Sequence, residues 1–392
     1  MILHCSDHMK KIILIMTLIG MMIPVSVFAC TSVIISGAAS PDGRPLMWKH
    51  RDTGVLDNRL EHFKGEKYSF VGLVNSTEGQ FGPEVWMGSN TAGFSIMNTA
   101  SFCLKDDDVP ASEMDKEGVL MYRALEICAT LSDFEHFLDT LSRPMGVEAN
   151  FGCIDAFGGA AYYETDNDGY VKRDVAAMDE GYCVVTNFSV TGRKEDWVGV
   201  QRYETASDIF ARQKKNGRRF EKMDSQIIID SLSRSYEHQG DSVYINRYMS
   251  SSAMVIKGIK EGESPENIVL WTVLGNPSAV VTVPVVVSEE DHIPSIMKKG
   301  AEGDNAPLCD LSMNVKKYIY PEGEDGPVEL ERAVYLSEVF GRLDMPIYED
   351  FNKLHDRFIK GRISSKKYFS TYENMMEKHL ETVKDAMDNI KF

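Results

Sequence analysis

The chain has 392 residues, 43% hydrophobic and 26% charged, with 42 Lys and Arg against 59 Asp and Glu for a formal charge of −17. So acidic a chain repels phosphate backbones, which removes nucleic acid from the expected partners. Its seven cysteines include no Cys-x-x-Cys, and past residue 29 no His-x-x-x-His occurs, so no metal and no cofactor is expected.

In chain order, Lys10 and Lys11 precede an apolar run over residues 12–23, and Val27-Phe28-Ala29 closes it on a small residue. A charged start, an apolar middle and a small-residue end predict a secretory signal peptide over 1–29, and so an exported protein, periplasmic or extracellular. The run is shorter than the about 20 residues that span a bilayer, and no later stretch is long and apolar enough to do so. Cys30 then opens the mature chain, which is expected to be a single domain over 30–392. With Cys30 free, five cysteines remain, an odd number that excludes a complete disulfide framework.

Thr31 to Ser36 is a β-branched strand, Pro41-Asp42-Gly43 its turn and Pro45 to Asp52 the returning strand, a hairpin that brings Lys49, His50, Arg51 and Asp52 near Cys30. Strands are predicted at 68–74, 84–87 and 93–101, and their short connections imply antiparallel pairing. Helices follow over 113–130 and, through a capping box at Ser132-Asp133-Phe134-Glu135, up to Leu141. Strands at 150–156, 160–165, 170–175 and 181–187 come next, then helices at 197–212 and 224–233, then apolar strands at 252–259, 267–274 and 279–287. Residues 289–304 are expected to form a surface loop, and 327–392 an amphipathic helical extension beyond a 30–290 core. Strand groups separated by helices predict an α+β fold, two antiparallel sheets face to face with helices outside.

An N-terminal cysteine carries its own base, since its amine and thiol have reference pKa values near 8 and 8.5. One residue then supplies both nucleophile and proton acceptor. A cysteine just after a signal peptide is alternatively a lipid-anchored residue of a non-catalytic binding protein, but Phe28 stands where a lipidation motif wants a small residue.

Cys30-Thr31-Ser32, followed about twenty residues later by Lys49-His50-Arg51-Asp52, resembles the opening of the cysteine N-terminal-nucleophile hydrolases that act on linear amides, whose second motif reads Arg-Asn-x-Asp. The group includes choloylglycine hydrolases, penicillin V acylases, acid ceramidase and isopenicillin-N acyltransferase. Gly93 to Asn98, Val184 to Asn187, and Asn246-Arg247 ahead of Ser250 are similar to three further motifs of the group, in the same order. The resemblance covers about 30–287 and implies a four-layer αββα sandwich, to which the C-terminal helices are extra. It implies Cys30 as nucleophile, Asp52 orienting the Cys30 amine, donors from the Asn98 backbone and the Asn187 side chain holding the oxyanion, and Arg247 steadying Asp52. Lys49 stands in place of the family arginine as a substrate-binding residue, with charge but without the planar fork. On a regular strand Lys49 and Arg51 share one face and His50 and Asp52 the other, so placing both Lys49 and Asp52 at the site requires a bulge or a strand end. His50 is expected to pack rather than to act.

The implied activity is hydrolysis of a small-molecule N-acyl amide, or transfer of its acyl group. An N-terminal-nucleophile dipeptidase is the alternative, since its members also begin Cys-Thr and continue through an Asp-Gly turn. The loops 55–67 and 102–112 are expected to wall the pocket, and a homo-oligomer stays open.

Overall fold

The computed structural model describes residues 29–388 apart from 106, 107, 215–218, 238–243 and 302, so the expected signal peptide lies outside the described residues except for Ala29. Two sheets, antiparallel throughout, form its middle. One runs in the order β10 (Tyr182–Val185), β1 (Thr31–Ile35), β2 (Leu46–Asp52), β11 (Ser250–Lys257), β12 (Val269–Leu274), β13 (Val283–Val286). The other runs in chain order: β3 (Asn58–Lys64), β4 (Ser69–Asn75), β5 (Met87–Asn90), β6 (Ser95–Ala100), β7 (Ala149–Ile154), β8 (Ala160–Thr165), β9 (Tyr170–Asp174).

The sheets face each other. The Ser32 hydroxyl lies 3.0 Å from that of Tyr162, and Ile34 lies against Gly152, so the even-numbered side chains of β1 point at the second sheet. Helices α1 (Glu117–Ile127) and α2 (Leu131–Thr140) cover the second sheet through Leu120, Met121, Leu125 and Phe134. The first sheet is covered by α3 (Val200–Gln213), α4 (Ser225–Ile228, continued to Ser233), α5 (Pro307–Ile319) and α6 (Leu330–Ile359), with α7 (Ser365–Asp388) packed on α6. This is the four-layer sandwich expected, with its helical extension. One buried apolar cluster runs from Val33 to Met387, so the C-terminal helices share the core of the first sheet. The Tyr372 hydroxyl donates to Pro284 O at 2.8 Å, binding α7 to edge strand β13, where a proline costs least.

Some elements differ from expectation. The supposed pocket loop 55–67 contains β3, whose Asn-Arg-Leu-Glu-His-Phe-Lys has no β-branched residue; pairing with β4 makes it a strand where local propensity does not. The strand expected at 84–87 lies at Met87–Asn90. The capping box belongs to Thr130 and Asp133. Helix α5, absent from the sequence reading, starts with Pro307 at its first position, where the missing N–H costs nothing.

Candidate active site

The register of the first sheet composes the site. Thr31 pairs with His50 and Ser32 with Lys49; one step further sets Cys30 opposite Arg51 and a second sets Ala29 opposite Asp52, as the 3.3 Å bond from Ala29 N to Asp52 O bears out. On the other side Ser32 pairs with Val185, and two steps further Cys30 stands opposite Asn187. Side chains directly opposite share a face. Arg51, Cys30 and Asn187 therefore form a row facing the second sheet, with Lys49 beside Arg51.

That sheet answers the row. Lys49 Nζ donates to Asn98 Oδ1 at 2.7 Å and to Trp86 O at 2.9 Å, and Asn187 Nδ2 donates to Ala100 O at 3.0 Å. Burial pulls the Lys49 ammonium down to about 8, against the pull of the Cys30 thiolate, while Arg51 adds to the lowering. With Asn98 Oδ1 taken by Lys49, its amide nitrogen is the free end of that side chain. Asn187 Oδ1 accepts from Arg202 Nη2 at 2.8 Å, which leaves the second proton of its amide nitrogen as a donor.

Asp52 lies on the opposite face of β2, fully buried. Its Oδ1 accepts from Ser250 Oγ at 2.7 Å; its Oδ2 accepts from Arg247 Nε at 3.2 Å and from Arg247 Nη2. Burial by itself would raise this carboxyl, but Arg247, then His50, then the more distant Arg202 override it and hold Asp52 well below the usual carboxylate range. Arg247 Nη2 also donates to Ala29 O at 3.2 Å, and the Cys30 nitrogen is here the peptide nitrogen of that bond.

The expected residues are thus brought together, but Lys49 and Asp52 reach Cys30 from different faces of β2. They need not share one. The pairing of β2 with β11 does shift register, between Ser250 and Ser252, and this sets Ser250 opposite Asp52. His50 does more than pack on Trp48: its Nε2 lies 2.7 Å from Ser250 Oγ and 3.4 Å from Asp52 Oδ1, helping hold the carboxylate.

Arg202 was not legible as a site residue. From the first turn of α3 its Nη1 donates to Cys30 O at 2.6 Å and Thr31 Oγ1 at 2.8 Å, so one guanidinium fixes both the Cys30 backbone and Asn187. An arginine three residues after Gly199 at a helix start reads as a surface side chain; only the fold turns it inward. Behind Arg247, α5 contributes Lys316, whose Nζ sits 3.8 Å over the Tyr248 ring, and its C-cap residue Tyr320. Tyr320, Tyr248, Met249 and Arg247 line a cavity of about 280 Å³. A groove of about 460 Å³ between α7 and residues 291–298 holds none of the site residues. Among the described residues no three His, Cys, Asp or Glu stand in metal-holding geometry.

No family model and no curated protein matches the sequence. Solved structures with a similar fold include a variant of conjugated bile acid hydrolase from Clostridium perfringens, 9% identical over 67% of this chain and 93% of that one, with a TM-score of 0.43. They also include the Caenorhabditis elegans N-acylethanolamine-hydrolyzing acid amidase ortholog, 17% identical over 58% of this chain and 92% of that one, with a TM-score of 0.40. Penicillin V acylase from Agrobacterium tumefaciens is 13% identical over 66% of this chain and 86% of that one, with a TM-score of 0.38.

Proposed function

We propose that this protein is an exported amidohydrolase that cleaves a linear N-acyl amide with Cys30, made N-terminal by removal of residues 1–29. The observation that carries the reading is the register that puts Cys30 in one row with Arg51 and Asn187, with Lys49 beside that row and bonded to Asn98, and with Asp52 and Arg247 gathered at the Ala29–Cys30 bond.

The freed amine takes the thiol proton, and the thiolate attacks the amide carbonyl carbon. The oxyanion that forms accepts hydrogen bonds from Asn187 Nδ2 and from Asn98, each such donor being worth roughly 3–4 kcal/mol. The C–N bond breaks as the Cys30 ammonium returns its proton to the leaving amine, leaving a thioester. Water, deprotonated by the same amine, attacks the thioester and releases the carboxylic acid; an acceptor amine in place of water would give acyl transfer. Asp52, pinned by Arg247 and Ser250, is the fixed negative charge that favours the ammonium form at the right moment.

The test is mass spectrometry of the secreted protein, first alone and then quenched with amide substrates. The expected species start at Cys30 with a free amine and carry an acyl adduct on that residue. A diacylglyceryl cysteine, or full activity in Cys30→Ala, overturns the reading. A panel of N-acyl amides and free dipeptides separates the amidase from the dipeptidase.

A further inference from the structure

Arg51 has no role in the chemistry above, yet it stands directly across the strand from Cys30 and is only 4% exposed. Its Nη2 donates to Asn75 Oδ1 at 2.8 Å, and its guanidinium carbon lies 5.0 Å from the centre of the Trp86 ring. Its Nη1 is buried and has no partner among the described residues, and the same holds for Trp86 Nε1 in the same cluster. Leaving buried donors unpaired costs about 1–3 kcal/mol each, more for a charged group.

The charges around the thiol do not balance either. Lys49 and Arg51 are both buried on its face of the sheet, and the acceptors that hold them, Trp86 O, Asn98 Oδ1 and Asn75 Oδ1, are all neutral. Burial lowers Arg51 to about 10, so it stays cationic at neutral pH. The charge of Glu84 acts on it, but no ion pair joins the two among the described residues. Even a thiolate at Cys30 would answer only one of the two cations, and neither has a carboxylate in ion-pair contact among the described residues. A buried cation without a counter-charge is costly unless a ligand supplies one.

The geometry points to Arg51, with Trp86 Nε1 beside it, as the receptor for a carboxylate carried by the substrate, so that the preferred amide is an anionic one. This rests on the amidase reading for its substrate. Two kinds of amide present that chemistry: half-amides of dicarboxylic acids, with the carboxylate on the acyl side, and N-acyl amino acids, with it on the amine side.

Two measurements test it. The first compares rates of Cys30 alkylation by iodoacetate and by iodoacetamide, and needs no turnover. Relative to the same ratio for a free thiol in solution, Cys30 should favour the anionic reagent by about 10- to 100-fold, the scale of one hydrogen bond to a charged group. Arg51→Gln should lose most of that preference and Arg51→Lys keep part of it. The second compares kcat/KM for an N-acylglycine with its glycinamide, and for a glutaryl anilide with its valeryl counterpart. One pair should favour the carboxylate by a similar factor in the wild type, and the pair that does so identifies the side. Hydrolysis of all four at comparable rates, or an alkylation ratio like that of a free thiol, overturns the receptor while leaving the amidase reading intact. A strong iodoacetate preference without any amide hydrolysis overturns the amidase reading and keeps the receptor. Should Arg51→Gln fail to fold, Arg51→Lys is compared with the wild type instead, and a ratio unchanged there overturns the assignment to Arg51.

Discussion

Replacing Lys49 by methionine should make the protein's stability less dependent on alkaline pH. Lys49 is 2% exposed, and burial pulls its ammonium from 10.5 to about 8. A folded value below the unfolded one means that between those two pH values the unfolded chain holds more protons, so stability rises with pH across that window. The difference of about 2.5, at 1.36 kcal/mol each, is a penalty of about 3 kcal/mol at pH 7, of which about 1 remains at pH 10. The wild type should therefore gain about 2.5 kcal/mol relative to Lys49→Met between those two pH values. Lys316, also drawn down to about 8, titrates in both proteins and cancels. The donors lost to Asn98 Oδ1 and Trp86 O weaken the variant equally at both pH values. The assay is urea unfolding of both proteins at pH 7 and 10 in a Cys30→Ser background, which removes the thiolate that pulls Lys49 upward, so the effect only grows. A difference that does not move with pH would refute the reasoning and show that water reaches Lys49.

Asp52→Asn should cost about 3 kcal/mol or more at neutral pH, because it leaves the buried part of Arg247 without its counter-charge. Because the folded Asp52 carboxyl is held low, the stability it contributes is present above its ordinary range and lost as pH falls, so acid unfolding of Asp52→Asn should lack that component. Arg202→Ala should lower kcat by roughly 10²-fold through the loosened Cys30 carbonyl and Asn187, with partial rescue by millimolar guanidinium; failure of rescue in a folded variant would count against the positioning role. Gly199→Ala should imitate it, since Gly199 has φ +82 and an added Cβ would fall 2.4 Å from Arg202 Nη2; unchanged kinetics would show that Arg202 is not held as described. Iodoacetamide should label Cys30 ahead of Cys128, whose thiol burial pushes up to about 12, and ahead of Cys183 and Cys309, both pushed to about 11. Peptide mapping that finds any of those three labelled first would refute this.

What could be read along the chain was whatever rests on neighbours. The hairpin of Cys30 with Asp52 is local: β-branched Thr31 to Ile35, a connection punctuated by Pro and Gly, and a returning strand, so Cys30 and Asp52 were legible as neighbours. The helices α1, α3 and α6 announced themselves by apolar spacing for the same reason. Asn98, Asn187 and Arg247 came from motif resemblance rather than from local physics, and their sequence surroundings alone are those of ordinary turn or surface residues. Only the tertiary structure decided the rest. The contacts of Arg202 with Cys30 and of Ser250 with Asp52 join residues 172 and 198 positions apart, and no period or propensity reports on such pairs. It also decided which side of β2 each residue of Lys49-His50-Arg51-Asp52 serves. Alternation divides the four into two pairs, but which pair meets the second sheet depends on how the sheets stack, and that is set by the burial of side chains from both.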